Sequence, residues 1–401
     1  MLPYKDGLAL AMTSRTMKEQ VLTRLYVNDA KDHAHEGVPF ALQFSSWYGK
    51  YKSYAMSIAA IKKIKQSPRD VINRLFDVSK LDLFGTSRGI VTTKDYGMIP
   101  VYPILQTALC ALLHICSLRG STAIAEALIA EGADVESTDT KGNTPIYYAT
   151  NASVASFLLE RGAQINGNLE KNKQGPLVSL IRIHYLQRHG WTATPSKWYT
   201  TTYSVGTDGV LKFGDMTPDT LSTIHYLVES GVEVSPRLSD PRRLPLAHAI
   251  HCRQPAIVKA LLDAGADPNP SYTVNGLTET YLFLTEAIYY STPEIAQLLL
   301  DAGAAVDETP GSSQEAPILA LSCLPTRERE YLRLAGEVCE RMQDINRLVK
   351  GQSALWWAIK NGKFYIAKLL IQKGAYWGAK GIFLRAKIVE NLLQALILGD
   401  S

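Results

Sequence analysis

The sequence has little of what usually announces chemistry. Five cysteines are scattered through 401 residues, at Cys110, Cys116, Cys252, Cys323 and Cys339, and no two form a Cys-x-x-Cys pair. An odd, dispersed set excludes a disulfide framework and points to reduced thiols in the cytosol or nucleus. The charge is nearly balanced, 42 basic against 38 acidic residues, and no block concentrates the excess of +4. That argues against an electrostatic footprint for nucleic acid. The opening MLPYKDGLALAMTSR lacks the basic start and apolar run of a secretory signal. Long apolar runs are also scarce. Tyr96 to Leu118 carries no formal charge at membrane-spanning length, but two prolines, Gln106 and His114 interrupt it, so a buried helix is expected and no membrane association. There is no Walker A loop, no HExxH, no GxGxxG after a strand and no kinase-type set. Neither a cofactor nor a metal is expected.

What is present is a repeat. Apolar residues make up 46% of the chain and charged residues 20%, the proportions of an ordinary folded protein. Gly-Ala-Asp and close variants recur at Gly132, Gly162, Gly231, Gly265, Gly303 and Gly374, with spacings of 30, 69, 34, 38 and 71 residues. Three of these lie near a period of about 33 residues and two near its double. Each glycine follows an apolar helix, as in Ile124–Ile129, Ile257–Leu262, Ile295–Leu300 and Ile366–Ile371. Apolar residues at i, i+1, i+4 and i+5 make one broad stripe at helical spacing. Glycine then takes the positive φ of a left-handed cap.

A second helix precedes each of these. Its clearest start is Thr144-Pro145-Ile146-Tyr147-Tyr148-Ala149. Threonine is expected to cap the free N–H groups, and proline suits the first helical position. Aligned segments begin at Ala111, Leu244, Ala316 and Ser353, with a weaker one at Leu282. In this pattern the chain resembles the ankyrin-repeat family, whose motif runs D-x-x-G-x-T-P-L-H-x-A, a second helix, then L-L-x-x-G-A-D. The best match is Asp139 to Pro145, closing at Arg161-Gly162-Ala163. The resemblance implies an all-α fold, an ankyrin-repeat solenoid of stacked helix–turn–helix units, with six helix pairs between residues 104 and 376. The motif histidine is kept only at His114, a long insertion (residues 185–215) splits the third pair, and the unit from Ala316 to Ile345 closes on Met342-Gln343-Asp344 instead of glycine.

The ends are less regular. Phe40 to Gly49 aligns with Ser353 to Gly362, so residues 37–66 are expected to form a divergent first repeat after an N-terminal segment, 1–36. Leu25 to Ala30 resembles the junction of fungal F-box–ankyrin proteins, but only 24 residues precede it, and a working F-box is not expected. Residues 67–103, with strand-like runs at Leu81–Phe84 and Gly89–Thr93, read as a connection. Residues 377–401, amphipathic from Phe383 to Leu398, read as a terminal capping helix that covers the last apolar face.

Three local patterns could carry chemistry. Gly85-Thr86-Ser87-Arg88-Gly89 matches a nucleophile elbow, but no helix start follows it. His33 and His35 have the spacing of a strand-borne metal pair but no further ligands, and His248 with His251 does not complete a zinc site. The run Lys62, Lys63, Lys65 reads as a solvated helix face. The insertion holds Trp191, Trp198, Tyr199 and Tyr203 on a projecting loop.

The family resemblance implies binding at hairpin tips and first-helix ends. Carried over residue by residue, these positions are Trp47, Tyr48, Thr140, Lys141, Asn151, His251, Tyr289, Tyr290, Lys360 and Asn361. Aromatic residues there suit interface hot spots. The expectation is a monomeric, non-catalytic regulatory adaptor in nucleus or cytoplasm that binds one or more proteins and does not bind nucleic acid directly. A transcription co-regulator of a dedicated pathway is the first form, a substrate receptor of a Skp1-type ubiquitin ligase the second, and an enzyme with an unrecognised site the third.

Overall fold

The Gly-Ala pairs do close helices. In the computed structural model, Gly132, Gly162, Gly231, Gly265, Gly303 and Gly374 have φ between 85° and 95°. The next residue donates its N–H back into the helix, Ala133 to Leu128 O at 2.9 Å, Ala266 to Leu261 O at 2.9 Å and Ala375 to Leu370 O at 2.8 Å. This satisfies carbonyls that the helix end would leave without partners. The structure describes residues 15–35, 37–77, 109–166, 175–189, 218–236, 240–274, 277–307, 316–323, 331–348, 352–375, 377–379 and 382–384. The chain divides into two units, Met1–Glu233 and Val234–Ser401.

The first unit opens on helix α1 (Arg15–Asp32), which packs against the second helix of the first pair, α2 (Phe40–Tyr48) and α3 (Tyr51–Lys63). Pro39 cannot cap α2 with a side chain. Asp29 of α1 does so instead, accepting from Phe40 N at 3.0 Å and Ala41 N at 2.8 Å. Burial nevertheless raises its carboxyl pKa. The turn after α1 is tied down by Arg74, whose guanidinium donates to the carbonyls of His33, Ala34 and Gly37. A short helix, α4 (Pro68–Ile72), capped by Ser67, stands where the sequence suggests only a connection. Beyond it β1 (Phe76–Asp77) pairs antiparallel with β2 (Leu109–Cys110). Residues 78–108, with both strand-like runs and Ser87, lie outside the described residues.

Next come α5 (Leu112–Arg119) and α6 (Thr122–Ala130). Seven consecutive residues of α5, Leu112 to Leu118, are buried, which accounts for the uncharged stretch. No described helix is long and apolar enough to cross a membrane. The best-matching repeat departs from expectation at its start. Pro145–Tyr148 is a single 3-10 turn, and Thr144 makes no side-chain cap bond. Asn151 caps the following helix α7 (Ala152–Glu160) through Val154 N at 2.8 Å. A last pair, α8 (Pro176–His189) and α9 (Pro218–Glu229), flanks the insertion. Residues 185–189 finish α8, and 190–217 lie outside the described residues. First helices stack in the order α2, α5, the 3-10 turn, α8, and second helices in the order α3, α6, α7, α9.

The second unit repeats the scheme with α10 (Pro245–His251) and α11 (Pro255–Asp263), then a hairpin of β3 (Ser271–Val274) and β4 (Leu277–Thr280). It continues with α12 (Phe283–Tyr290) and α13 (Pro293–Asp301), α14 (Pro317–Cys323) and α15 (Leu332–Arg341), and α16 (Ala354–Lys360) and α17 (Phe364–Gln372). Again α10, α12, α14 and α16 form one row and α11, α13, α15 and α17 the other. Between Leu112 and Gln372 the described residues therefore hold seven pairs, one more than the six expected. The pair of α14 and α15, which lacks the closing glycine, is among them, at the segment that begins at Ala316. After α17, β5 (Trp377–Ala379) pairs antiparallel with β6 (Ile382–Leu384). The expected capping helix does not begin at Phe383, which is in a strand, and residues 385–401 lie outside the described residues.

Neighbouring repeats are joined by asparagine bridges. Asn269 donates its side-chain amide to Gly303 O at 2.9 Å, and its Oδ1 accepts from Ala305 N at 2.6 Å. Asn73 does the same to Gly132 O and Asp134 N, and Asn166 to Gly231 O and Glu233 N. Asn346 reaches Gly374 O at 3.3 Å. The amides of Asn73, Asn166 and Asn269 thus each meet a donor and an acceptor left at a left-handed cap. Where the glycine is missing, Asp307 accepts from Gln343 N at 3.1 Å, and Arg341 donates to Leu300 O at the end of α13.

Candidate protein-binding surface

In the first unit the turn Asp139–Asn143 forms one hairpin tip. Asp139 accepts from Lys141 N and Asn143 N, each at 2.8 Å, and from the Tyr148 hydroxyl at 2.5 Å. Burial, then the Asp139 charge, holds the Tyr148 phenol far above its ordinary pKa. His114 meets Asn143 O through Nε2 at 3.1 Å and sets its ring edge-on to Tyr148. Burial lowers the His114 pKa, against an opposing pull from the Asn143 carbonyl and Asp139. This framework leaves Thr140 and Lys141 exposed at the tip. Asn151 is used within the stack, since besides capping α7 it donates to Gly120 O at 3.2 Å. Trp47 and Tyr48 end α2, and their side chains lie outside the described ones.

In the second unit the predicted residues collect at the ends of the first-helix row. His251, at the end of α10, places Nε2 3.2 Å from Glu286 Oε2 on α12. The Tyr281 hydroxyl donates to the other oxygen, Oε1. Burial first, and then Glu286, raises the Tyr281 pKa. The His251 ring meets Tyr290 edge-on at 6.2 Å, and Tyr289 lies 6.0 Å from Tyr290. Tyr290 is 45% exposed. At the end of α16, Lys360 Nζ sits 4.7 Å over Trp356 and 5.0 Å over Trp357, two rings packed edge to face. Such an ammonium gains from the negative ring faces. Asn361 donates to Ser322 O at 3.2 Å and so ties α16 back to α14.

Sequence reasoning missed Arg253, Glu286, Trp356 and Trp357 on this row. Arg253 left a signal. In the turn between first and second helices, Gly49, Gly120 and Gly362 take φ of 65°, 68° and 68°. Arg253 occupies the same place with φ 52°. Its Nε donates to Tyr290 O on the neighbouring pair at 2.8 Å.

The two histidines of the candidate metal pair have separate surroundings. His33 turns back onto Asp29, with Nδ1 2.8 Å from its carbonyl and 3.3 Å from its carboxylate. His35 lines an open cleft with Lys31 and Lys63. Lys62 of the basic run pairs with Glu131 at 2.7 Å. Among the described residues no three His, Cys, Asp or Glu side chains are placed to hold a metal ion.

Comparison with known proteins bears on the repeats. A family model of ankyrin repeats matches residues 105–177 as three copies, and a single-repeat model matches residues 350–382. The crystal structure of the human ASB11 ankyrin repeat domain is similar with a TM-score of 0.40 and 18% identity, over 69% of this chain and 89% of that one. No curated protein sequence matches. No enzyme family is indicated, and the matched segments coincide with helix pairs closed by left-handed caps. The chain is thus a mostly helical protein that carries ankyrin repeats at residues 105–177 and 350–382, and such repeats indicate a protein-interaction scaffold.

Proposed function

We propose that the chain is a non-catalytic regulatory adaptor of nucleus or cytoplasm, acting as a transcription co-regulator that reaches DNA through a protein partner. The observation that carries this reading is the first-helix-end row of the second unit. It combines an exposed tyrosine, a tryptophan pair and two cations on a rigid frame. Tyrosine, tryptophan and arginine are the residues that dominate binding energy at interfaces. Rigid elements hold them, so little side-chain freedom is lost on binding.

Affinity capture of the tagged full-length chain, read by mass spectrometry, tests the reading. Transcription regulators are the expected partners, with transcript changes on deletion. A tagged chain confined to the cytosol, with no transcript change on deletion, would count against it. Recovery of a Skp1-type adaptor would instead favour a ubiquitin-ligase receptor.

A further inference from the structure

Arg253 stands where three other helix pairs place glycine, in a backbone conformation that disfavours any side chain. Glycine there would remove that strain. A side chain kept against a conformational penalty is a reason to look for what it does. Its Nε is anchored on the backbone carbonyl of Tyr290, so the guanidinium is held at the end of α12, whose last residue, Tyr290, is exposed. Lys360 supplies a second cation at the end of α16, fixed over Trp356 and Trp357. The carboxylate on the same row, Glu286, accepts from the Tyr281 hydroxyl through Oε1, and its Oε2 is buried 3.2 Å from His251 Nε2. The row therefore carries a cation at two points, with the tryptophan pair beside Lys360 and the exposed Tyr290 on the helix end that anchors Arg253.

We infer that this row docks an extended acidic segment of a partner protein, a deepening that rests on the adaptor reading above. Aspartate or glutamate carboxylates meet Arg253 and Lys360, and an apolar side chain of the segment lies on Tyr290. The fold sets the spacing. Between α12 and α16 lies one helix, α14, and packed helices sit about 8–10 Å apart, so the two cations are roughly 16–20 Å apart. An extended chain rises about 3.3 Å per residue, which separates the two acidic residues by about five or six positions. Complementary charge of this kind also sets association rate and salt dependence.

The test is selection of phage-displayed random dodecapeptides on the immobilised full-length chain, followed by affinity measurement with the selected peptides. Enrichment of paired Asp or Glu at that separation, around an aromatic or aliphatic residue, is expected. Arg253→Gly and Lys360→Gln should each weaken binding about tenfold, the factor that corresponds to about 1.4 kcal/mol. Lys259→Gln, which removes an exposed charge on α11, should leave it unchanged. Arg253→Gly should melt no lower than the wild type, which separates lost binding from lost fold. Selection of no peptide, of peptides without acidic enrichment, or of peptides indifferent to both variants would overturn the inference. So would equal competition by a single-stranded oligonucleotide of matching charge. Non-acidic peptides, together with captured protein partners, would remove the acidic segment and leave the adaptor reading standing. Failure to capture any protein would instead count against the adaptor reading.

Discussion

Replacing Asn269 by alanine should weaken one junction between repeats while leaving both repeats chemically intact. The side chain makes two hydrogen bonds, to Gly303 O at 2.9 Å and from Ala305 N at 2.6 Å. Each neutral bond contributes about 0.5–1.5 kcal/mol net. The bond to Gly303 is exposed, and water replaces it in the variant. The Ala305 N–H is partly buried, and leaving it without an acceptor costs more, about 1–3 kcal/mol. The asparagine side chain regains some freedom when released, so the expected loss is about 2 kcal/mol. Asn269→Asp keeps an acceptor for Ala305 N but sets a carboxylate against the Gly303 carbonyl, and about half the loss should return. Hydrogen exchange of the full-length chain reads this directly, because exchange at the Ala305 amide should accelerate well beyond exchange in the core of α13. Urea unfolding supplies the free energy. An Ala305 amide that exchanges at the wild-type rate in Asn269→Ala would refute the bridging role, whatever the melting temperature did.

Three further outcomes follow from the same structure. Leu299 is fully buried in α13, so Leu299→Ala should cost about 2–5 kcal/mol by urea unfolding, the range for emptied core sites. Burial depresses the His114 pKa in the folded state, so the unfolded chain binds more protons below about pH 6.5, and stability should fall as pH drops from there toward the folded value, by up to about 1.4 kcal/mol per pH unit. Unfolding midpoints at neutral and mildly acidic pH should show that slope reduced in His114→Gln, and an unchanged slope would contradict it. Cys116 is fully buried and its thiol is pushed up to about 12, whereas Cys323 is partly exposed, so a thiol reagent on the native protein should reach Cys323 well before Cys116 or Cys252, as peptide mapping can check.

The parts of the fold legible in the sequence are those in which backbone geometry dictates residue type. A left-handed cap calls for glycine, a buried position after it calls for a small residue, and a helix on a stack calls for a broad apolar stripe. Those needs produced the Gly-Ala ladder and located most of the helix pairs. The asparagine bridges were present but hidden. Asn73, Asn166, Asn269 and Asn346 meet their glycines 59, 65, 34 and 28 residues later. Insertions vary that separation while leaving the spatial relation intact, so no fixed period reveals it. Helix α1 escaped notice for another reason. Its link to the first repeat is polar, a carboxylate at one helix end and an arginine on three carbonyls, and such contacts leave no periodic trace. The 3-10 turn at Pro145–Tyr148 shows the converse, because the closest match to the repeat motif made the shortest first helix.

The candidate surface was legible in position but not in character. The family resemblance implied binding at first-helix ends, and the fold places His251, Tyr290, Lys360 and Asn361 at the ends of one helix row. It did not say which of them are available. Asn361 is tied to α14, and His251 faces a carboxylate, so part of the row maintains the frame that displays the rest. The sign of the row depends on that division. Glu286 read alone would make it mixed in charge. Its carboxylate accepts from Tyr281 through Oε1 and has Oε2 buried near His251, while Arg253 and Lys360 are held at the helix ends by a carbonyl and two indole faces. Charge on this surface is therefore set by which groups the stack engages internally, a property of packing that a residue count cannot carry. Arg253 is the position where sequence could have spoken, because an arginine aligned with three glycines asks what it gains there.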